Sequence, residues 1–151
     1  FMLLAIIAIL VVIIDQFTKY YVQSHMALGE SIPVIENIFH WTYILNDGAA
    51  FGLFAGARWI FIAIAFFVMF CVCYFRKDIA ELGSWSTYGT CLFAGGAVGN
   101  LIDRARTGVV VDFFDFRIWP VFNVADIAIC VGVGMLVWST LKSDLLKKES
   151  N

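Results

Sequence analysis

Long uncharged runs of apolar residues dominate the chain and predict its helices. Four runs reach or approach the roughly 20 residues that a helix needs to cross a bilayer. They predict four membrane-spanning helices over residues 2–22, 58–75, 84–104 and 122–142, with a short charged link over residues 76–83. An even number of spans places both chain ends on one side of the membrane.

The two longer connections lie on the opposite side and have strand-like composition. A strand is expected over Val109–Phe116, which is rich in valine and phenylalanine. Ser31–Trp41 is similar, with interruptions at Pro33 and Asn37. Gly48–Phe54 is small and apolar, which predicts a short helix in the membrane interface. The predicted fold is therefore an all-α membrane protein with a small β element and a short interfacial helix on this face.

Composition agrees with this architecture. Of the 151 residues, 62% are hydrophobic and 15% are charged, whereas soluble domains average roughly 45–50% and about 25%. The net charge of −2 gives no electrostatic basis for nucleic-acid binding. The four cysteines lie inside apolar runs, so we expect small buried side chains and no disulfide framework. They are Cys71, Cys73, Cys91 and Cys130.

The balance of basic residues predicts the orientation only weakly. Five basic residues fall on the side of the termini and five on the other. Two of the latter, Lys19 and Arg104, stand beside acidic residues and are interpreted as structural. Discounting them places the termini in the cytoplasm by the positive-inside rule.

Four acidic residues stand at the edges of the spans and fall near one membrane face. A carboxylate at membrane depth costs at least ~2.5 kcal/mol, so such residues indicate a functional site. Each also has a structural interpretation. The four are Asp15, Asp103, Asp112 and Asp126.

Asp15 and Asp103 favour structural interpretations. Asp15 precedes Lys19 by four residues, which predicts an ion pair on one helix face. Asp103 opposes the dipole at a helix C-terminus, so it requires a partner such as Arg104 or Lys19.

Asp112 and Asp126 leave the choice between structure and function open. Asn123 followed three residues later by Asp126 resembles a capping box at a helix start. Asp112 stands in the predicted strand, where a lone acid is usually solvated, although the surrounding valines and phenylalanines would make its burial costly.

The remaining chemistry favours a pair of carboxylates. There is no zinc-binding motif, no nucleophile motif and no phosphate-binding loop; the glycines over residues 95–99 are interpreted as a close helix contact. Two aspartates that share one proton can act as base and acid together, because like charges so close cannot both ionise. Asn46, Asn100 and Asn123 fall on the same face and could hold such a pair in place.

Five motifs, in this order along the chain, resemble those of the signal peptidase II family, the integral-membrane aspartyl proteases that process lipoproteins. They are Asp15-Gln16-Phe17-Thr18-Lys19, Asn46-Asp47-Gly48-Ala49-Ala50-Phe51-Gly52, residues 95–104, residues 110–116, and Phe122-Asn123-Val124-Ala125-Asp126.

The resemblance implies a catalytic dyad of Asp112 and Asp126, and so selects Asp112 over Asp103 as the partner of Asp126. The supporting residues that it implies are Asp15, Lys19, Asn46, Asn100, Asp103, Arg104 and Asn123.

The resemblance also implies the reaction and its setting. The substrate would be a prolipoprotein with a diacylglyceryl-modified cysteine, cut just before that cysteine, without metal or cofactor. We expect residues 1–151 to form one membrane-embedded peptidase domain, a monomer in contact with lipid in the bacterial cytoplasmic membrane. Its active site would face outward and would bind the family's cyclic peptide antibiotics.

Two other functions use the same acids. A small cation-coupled transporter would employ them as a relay, although no inverted repeat is visible. A non-enzymatic scaffold would pair them with Lys19, Arg104 and Arg106. The loop over residues 46–54 could close over a substrate.

Overall fold

The computed structural model describes residues 2–48 and 53–149. These residues form helices and one small sheet. In chain order the elements are α1 (Met2–His25), β1 (Ser31–Ile35), β2 (Phe39–Asn46), α2 (Arg58–Tyr74), α3 (Arg76–Glu81), α4 (Ser84–Arg106), β3 (Val110–Asp115) and α5 (Val124–Glu149).

Helices form over all four apolar runs that predicted them. The ends differ by a few residues, most at α5, which continues to Glu149. The charged link expected over residues 76–83 contains a short helix, α3, which the sequence analysis missed. The cause is local: Arg76–Glu81 lacks glycine and proline, and Gly83 with φ of 105° marks the break before α4.

Two described helices are long and apolar enough to cross a membrane, over Ala5–His25 and Val124–Leu145. α2 is apolar but has 17 residues. α4 has 23 residues, yet it carries glycine, serine, threonine and terminal charges, so it is less apolar. Four spanning helices are therefore not confirmed by length and composition.

The outer surface of the bundle is strongly apolar. None of the residues of α2 is buried, and Phe66, Phe67 and Phe70 are each more than 60% exposed. A large exposed apolar surface of this kind marks contact with a protein or a membrane. The cysteines follow the same pattern: none is fully buried, and Cys73 and Cys130 are exposed, so the expectation of buried cysteines is wrong.

The three strands form an antiparallel sheet in the order β1-β2-β3. Ser31 pairs with Thr42 between β1 and β2, and Ile44 pairs with Asp112 between β2 and β3. β3 is buried along nearly its whole length, because α1 and α4 contact it while β2 pairs with its edge. Val22 of α1 joins the apolar cluster under the sheet.

The predicted β element is confirmed, with corrections to its boundaries. Asn37 lies in the turn between β1 and β2, with φ of 61°. Pro33 lies within β1 and does not end it, since proline is tolerated in an edge strand, but the pairing with β2 shifts register between Pro33 and Ile35. β2 extends past Trp41 to Asn46. Most of the predicted interfacial helix Gly48–Phe54 lies outside the described residues.

Close packing of α4 against its neighbours depends on its glycines, as predicted. A Cβ atom at Gly95 would lie 2.8 Å from the carbonyl oxygen of Ala8 in α1. One at Gly96 would lie 2.9 Å from Ile129 Cγ1 and would also contact the carbonyl oxygen of Ala125 in α5. The helices could not approach so closely with larger residues here.

Gly96→Ala is expected to destabilise the protein by about 1–3 kcal/mol, because the added methyl group meets the backbone of α5. Thermal unfolding in detergent measures the change. Gly134→Ala is the matched control, since a Cβ atom there has no neighbour within 4 Å. It should be neutral or slightly stabilising. Equal losses of melting temperature in the two variants would contradict the packing role of Gly96.

Candidate active site

The ammonium group of Lys19 lies at the centre of a buried polar cluster between α1 and α4. Its Nζ atom lies 2.8 Å from Asp15 Oδ2 and 2.9 Å from Asp103 Oδ2. It also donates a hydrogen bond of 2.9 Å to Asn100 Oδ1. An ammonium group has three donors, so every donor has an acceptor. The side chain is only 3% exposed, and these contacts replace its water.

These contacts settle two structural expectations. The ion pair between Asp15 and Lys19 is confirmed. Asp103 pairs with Lys19, the second of its two expected partners, and its Oδ2 also accepts a hydrogen bond of 3.3 Å from Val111 N in β3. Asp15 Oδ1 accepts one of 2.9 Å from Ala125 N in the first turn of α5. The cluster thus ties α1 to α4, β3 and α5.

Gln16 belongs to this cluster and was missed as a site residue. Its amide nitrogen lies 2.8 Å from Asp103 Oδ1 and 3.1 Å from the carbonyl oxygen of Gly99. The signal was available: Gln16 and Lys19 are three residues apart and therefore share a face of α1.

Asn123 directly precedes α5, and its side chain reaches the centre of the site. Its Oδ1 accepts a hydrogen bond of 2.9 Å from Asp126 N, and its own N–H donates to Asp126 Oδ2 at 3.1 Å. This reciprocal pair is the predicted capping box. Asn123 is completely buried, and its amide nitrogen lies 2.7 Å from Asp112 Oδ1.

Asp112 projects from β3 and is 1% exposed, so the interpretation of a solvated strand acid is wrong. Both of its oxygens accept hydrogen bonds, Oδ1 from Asn123 and Oδ2 from Asn46 at 3.0 Å. Burial and the charge of the nearby Asp126 raise the pKa of Asp112 to about 7, against the lowering effect of these two bonds. Asp112 can therefore carry a proton near neutral pH.

Asp126 is half-buried and lies on the same cavity as Asp112. Its Oδ1 accepts a hydrogen bond of 2.8 Å from Asn100 Nδ2. The cavity has a volume of about 290 Å³ and is also lined by Asn46, Asn100 and Arg104. Its remaining wall is mostly apolar and includes Trp119, Pro120, Val121, Phe122, Ile129 and Cys130. A peptide bond could meet both carboxylates here.

Arg104 connects the cavity to the loop after β2. Its Nη2 donates a hydrogen bond of 2.9 Å to the carbonyl oxygen of Gly48. Its guanidinium carbon lies 4.5 Å from the centre of the Phe61 ring in α2, which is a cation–π contact. Gly48 N in turn donates to Asn46 Oδ1 at 3.0 Å. The loop, α2 and α4 are thereby linked beside the cavity.

A separate polar network lies farther along the sheet. Asp115 Oδ2 accepts hydrogen bonds of 2.7 Å from Thr42 and from Arg117. Burial acts to raise the pKa of Asp115, but the bonds from Thr42 and Arg117 outweigh it and lower the pKa. Asp115 does not line the cavity of Asp112 and Asp126.

Every residue of the predicted site except Asn123 lies in the Lys19 cluster or lines the cavity beside it, and Asn123 joins the two through Asn100 and Asp112. The two are continuous, because Asn100 contacts both Lys19 and Asp126. Within residues 2–48 and 53–149, no three His, Cys, Asp or Glu side chains are arranged to hold a metal ion.

Comparisons with known proteins identify the family of this chain. The family model described as Signal peptidase (SPase) II matches residues 7–142. A lipoprotein signal peptidase from Pelotomaculum thermopropionicum is 48% identical, with 98% of each chain covered. One from Halothermothrix orenii is 46% identical over 87% of this chain and 90% of that protein.

A solved bacterial membrane enzyme, determined by the in meso method at 2.3 Å resolution, has the same fold. Its TM-score is 0.86 at 36% identity, with 92% of this chain and 87% of that chain covered. Sequence and structure therefore agree that the chain belongs to the signal peptidase II family.

Proposed function

We propose that this protein removes the signal peptide from prolipoproteins whose cysteine carries a diacylglyceryl group, cutting just before that cysteine. Asp112 and Asp126 would activate the attacking water. The observation that carries this proposal is their meeting on one cavity in unlike environments. Asp112 is buried between two asparagines, whereas Asp126 is half-exposed at the start of a helix.

These environments suggest a division of labour. Asp126 accepts hydrogen bonds from Asn100 Nδ2 and from Asn123 N. It would take a proton from water while the resulting hydroxide adds to the scissile carbonyl carbon. Asp112, protonated near neutral pH, would give its proton to the carbonyl oxygen. Collapse of this diol breaks the C–N bond, with the proton on Asp126 passing to the departing amine and one diol proton returning to Asp112.

A lipid on the substrate would account for a pair of carboxylates near the membrane surface. Its acyl chains would remain in the bilayer, so the scissile bond would be presented near the headgroups. Asp126 stands in the first turn of α5, at the end of the apolar span Val124–Leu145. We place four helices in the membrane, α1, α2, α4 and α5, as one domain. Both termini would be cytoplasmic, and the sheet and cavity would face outward.

Asp112→Asn and Asp126→Asn are each expected to lower the cleavage rate by at least about 10³-fold, because neither amide can exchange the required proton. Cleavage of a synthetic diacylglyceryl precursor by purified enzyme measures the effect. Asp115→Asn is the matched control, since this acid of the same strand does not line the cavity, and most activity should remain. Full activity of either dyad variant would refute the assignment.

Removal of the diacylglyceryl group from the precursor is expected to abolish detectable cleavage at the same substrate concentration. The bilayer-embedded lipid would supply the positioning of the scissile bond. Parallel assays with lipidated and unlipidated peptides of one sequence make the comparison. Equal cleavage rates for the two peptides would show that the enzyme does not require the lipid.

The burial of Asp112 also predicts how stability depends on pH. Its pKa of about 7 in the folded chain exceeds the 3.8 of an unperturbed aspartate. Protonation of Asp112 therefore stabilises the folded chain fully below pH 3.8. This stabilisation is lost as the pH rises through about 7. Between pH 5 and 8 the loss amounts to about 3 kcal/mol.

Melting temperatures of the wild type and Asp112→Asn at pH 5 and pH 8 test this. The melting temperature of the wild type should fall more across this interval, because the asparagine does not titrate. Any constant cost of the substitution cancels in the comparison. Parallel behaviour of the two proteins would contradict the raised pKa.

A further inference from the structure

The three asparagines at the site share one arrangement. Each directs its side-chain NH₂ group towards a carboxylate of the pair, Asn46 and Asn123 towards Asp112, and Asn100 towards Asp126. The amide oxygen of each asparagine also accepts a hydrogen bond from another group. Asn46 Oδ1 accepts from Gly48 N at 3.0 Å, and Asn123 Oδ1 accepts from Asp126 N at 2.9 Å. Asn100 Oδ1 accepts from Lys19 Nζ at 2.9 Å.

The donor to each amide oxygen decides which way that amide faces. Rotation of an asparagine amide by half a turn exchanges its oxygen and nitrogen. For Asn100, the exchange would bring its NH₂ group against the ammonium of Lys19 and its oxygen against Asp126. Both contacts are repulsive. The donors on Asn46 and Asn123 are main-chain N–H groups, whereas the charged donor on Asn100 is the side chain of Lys19.

We propose that Lys19 is a positioning residue, which fixes the Asn100 amide so that it donates to Asp126. This inference rests on the proposed role of Asp126 in cleavage. Asp15 and Asp103 already supply two carboxylates for one ammonium group. The bond to Asn100 is therefore additional to what charge balance in the cluster requires.

The other donor on Asn100 Oδ1 is the weaker one. Asn123 Nδ2 lies 3.1 Å from it, but the same nitrogen also faces Asp112 Oδ1 at 2.7 Å and the carbonyl oxygen of Val111 at 3.3 Å. Its two hydrogens are thus divided among three acceptors. Hydrogen bonds from charged donors are also stronger than those from neutral ones.

The test compares two variants of equal charge. Asp103→Asn/Lys19→Met and Asp103→Asn/Lys19→Gln both remove one positive and one negative charge, so the cluster keeps its wild-type net charge. Glutamine and methionine have side chains of equal length, one bond shorter than lysine, and differ in that glutamine has an N–H donor at its end whereas methionine has none. Each is assayed for kcat and KM with the lipidated precursor, in folded protein quantified by size exclusion.

The methionine variant is expected to have a kcat at least fivefold below that of the glutamine variant, with KM changed less than twofold. A merely structural role would alter the yield of folded protein and leave kcat equal. The Asn100 side-chain signal in ¹⁵N-asparagine-labelled protein, assigned by its loss in Asn100→Ala, gives a second readout. It should stay near its wild-type position with glutamine and shift or broaden with methionine.

Equal kcat values, or an Asn100 signal unchanged with methionine, would overturn the proposal. If the methionine variant does not fold, the glutamine variant alone decides, because loss of the Asn100 signal there would also overturn it. The amide signal does not depend on turnover. A wild type that fails to cleave the lipidated precursor would therefore refute the proposed function without changing this result.

Discussion

The structure depends on one buried ammonium group that replaces its water with three protein acceptors. Lys19 and its partners bring α1 and α4 together in the buried interior, where unpaired charges would be costly. Because Asp15 and Asp103 also accept hydrogen bonds from main-chain groups of α5 and β3, the cluster fixes four elements at once. The carboxylate pair is assembled on this framework, with Asn100 as the direct connection.

Much of this arrangement could be predicted from sequence because its signals are local. Apolar runs without charges located the helices, and the four-residue spacing of Asp15 and Lys19 indicated their ion pair. The three-residue spacing of Asn123 and Asp126 indicated the capping box. In each case a periodicity of one helical turn identifies the contact, so no knowledge of the tertiary fold is needed.

Other features depend on long-range packing and could not be derived this way. Whether Asp112 is solvated or buried depends on the elements that cover β3, and the local sequence is compatible with both outcomes. The partner of Asp103 was equally undecided, because Lys19 and Arg104 were both available until α1 and α4 were placed side by side. The exposed cysteines show the same limit, since an apolar run does not reveal which of its faces points outward.

Asn123 holds two positions in this architecture at once. Its side-chain oxygen caps the N-terminus of α5, and its side-chain nitrogen donates a hydrogen bond to Asp112. Serine or aspartate could also cap the helix at this position, but neither has an amide N–H to donate to Asp112. The start of a helix and the support of a proposed catalytic carboxylate therefore depend on the two ends of a single amide group.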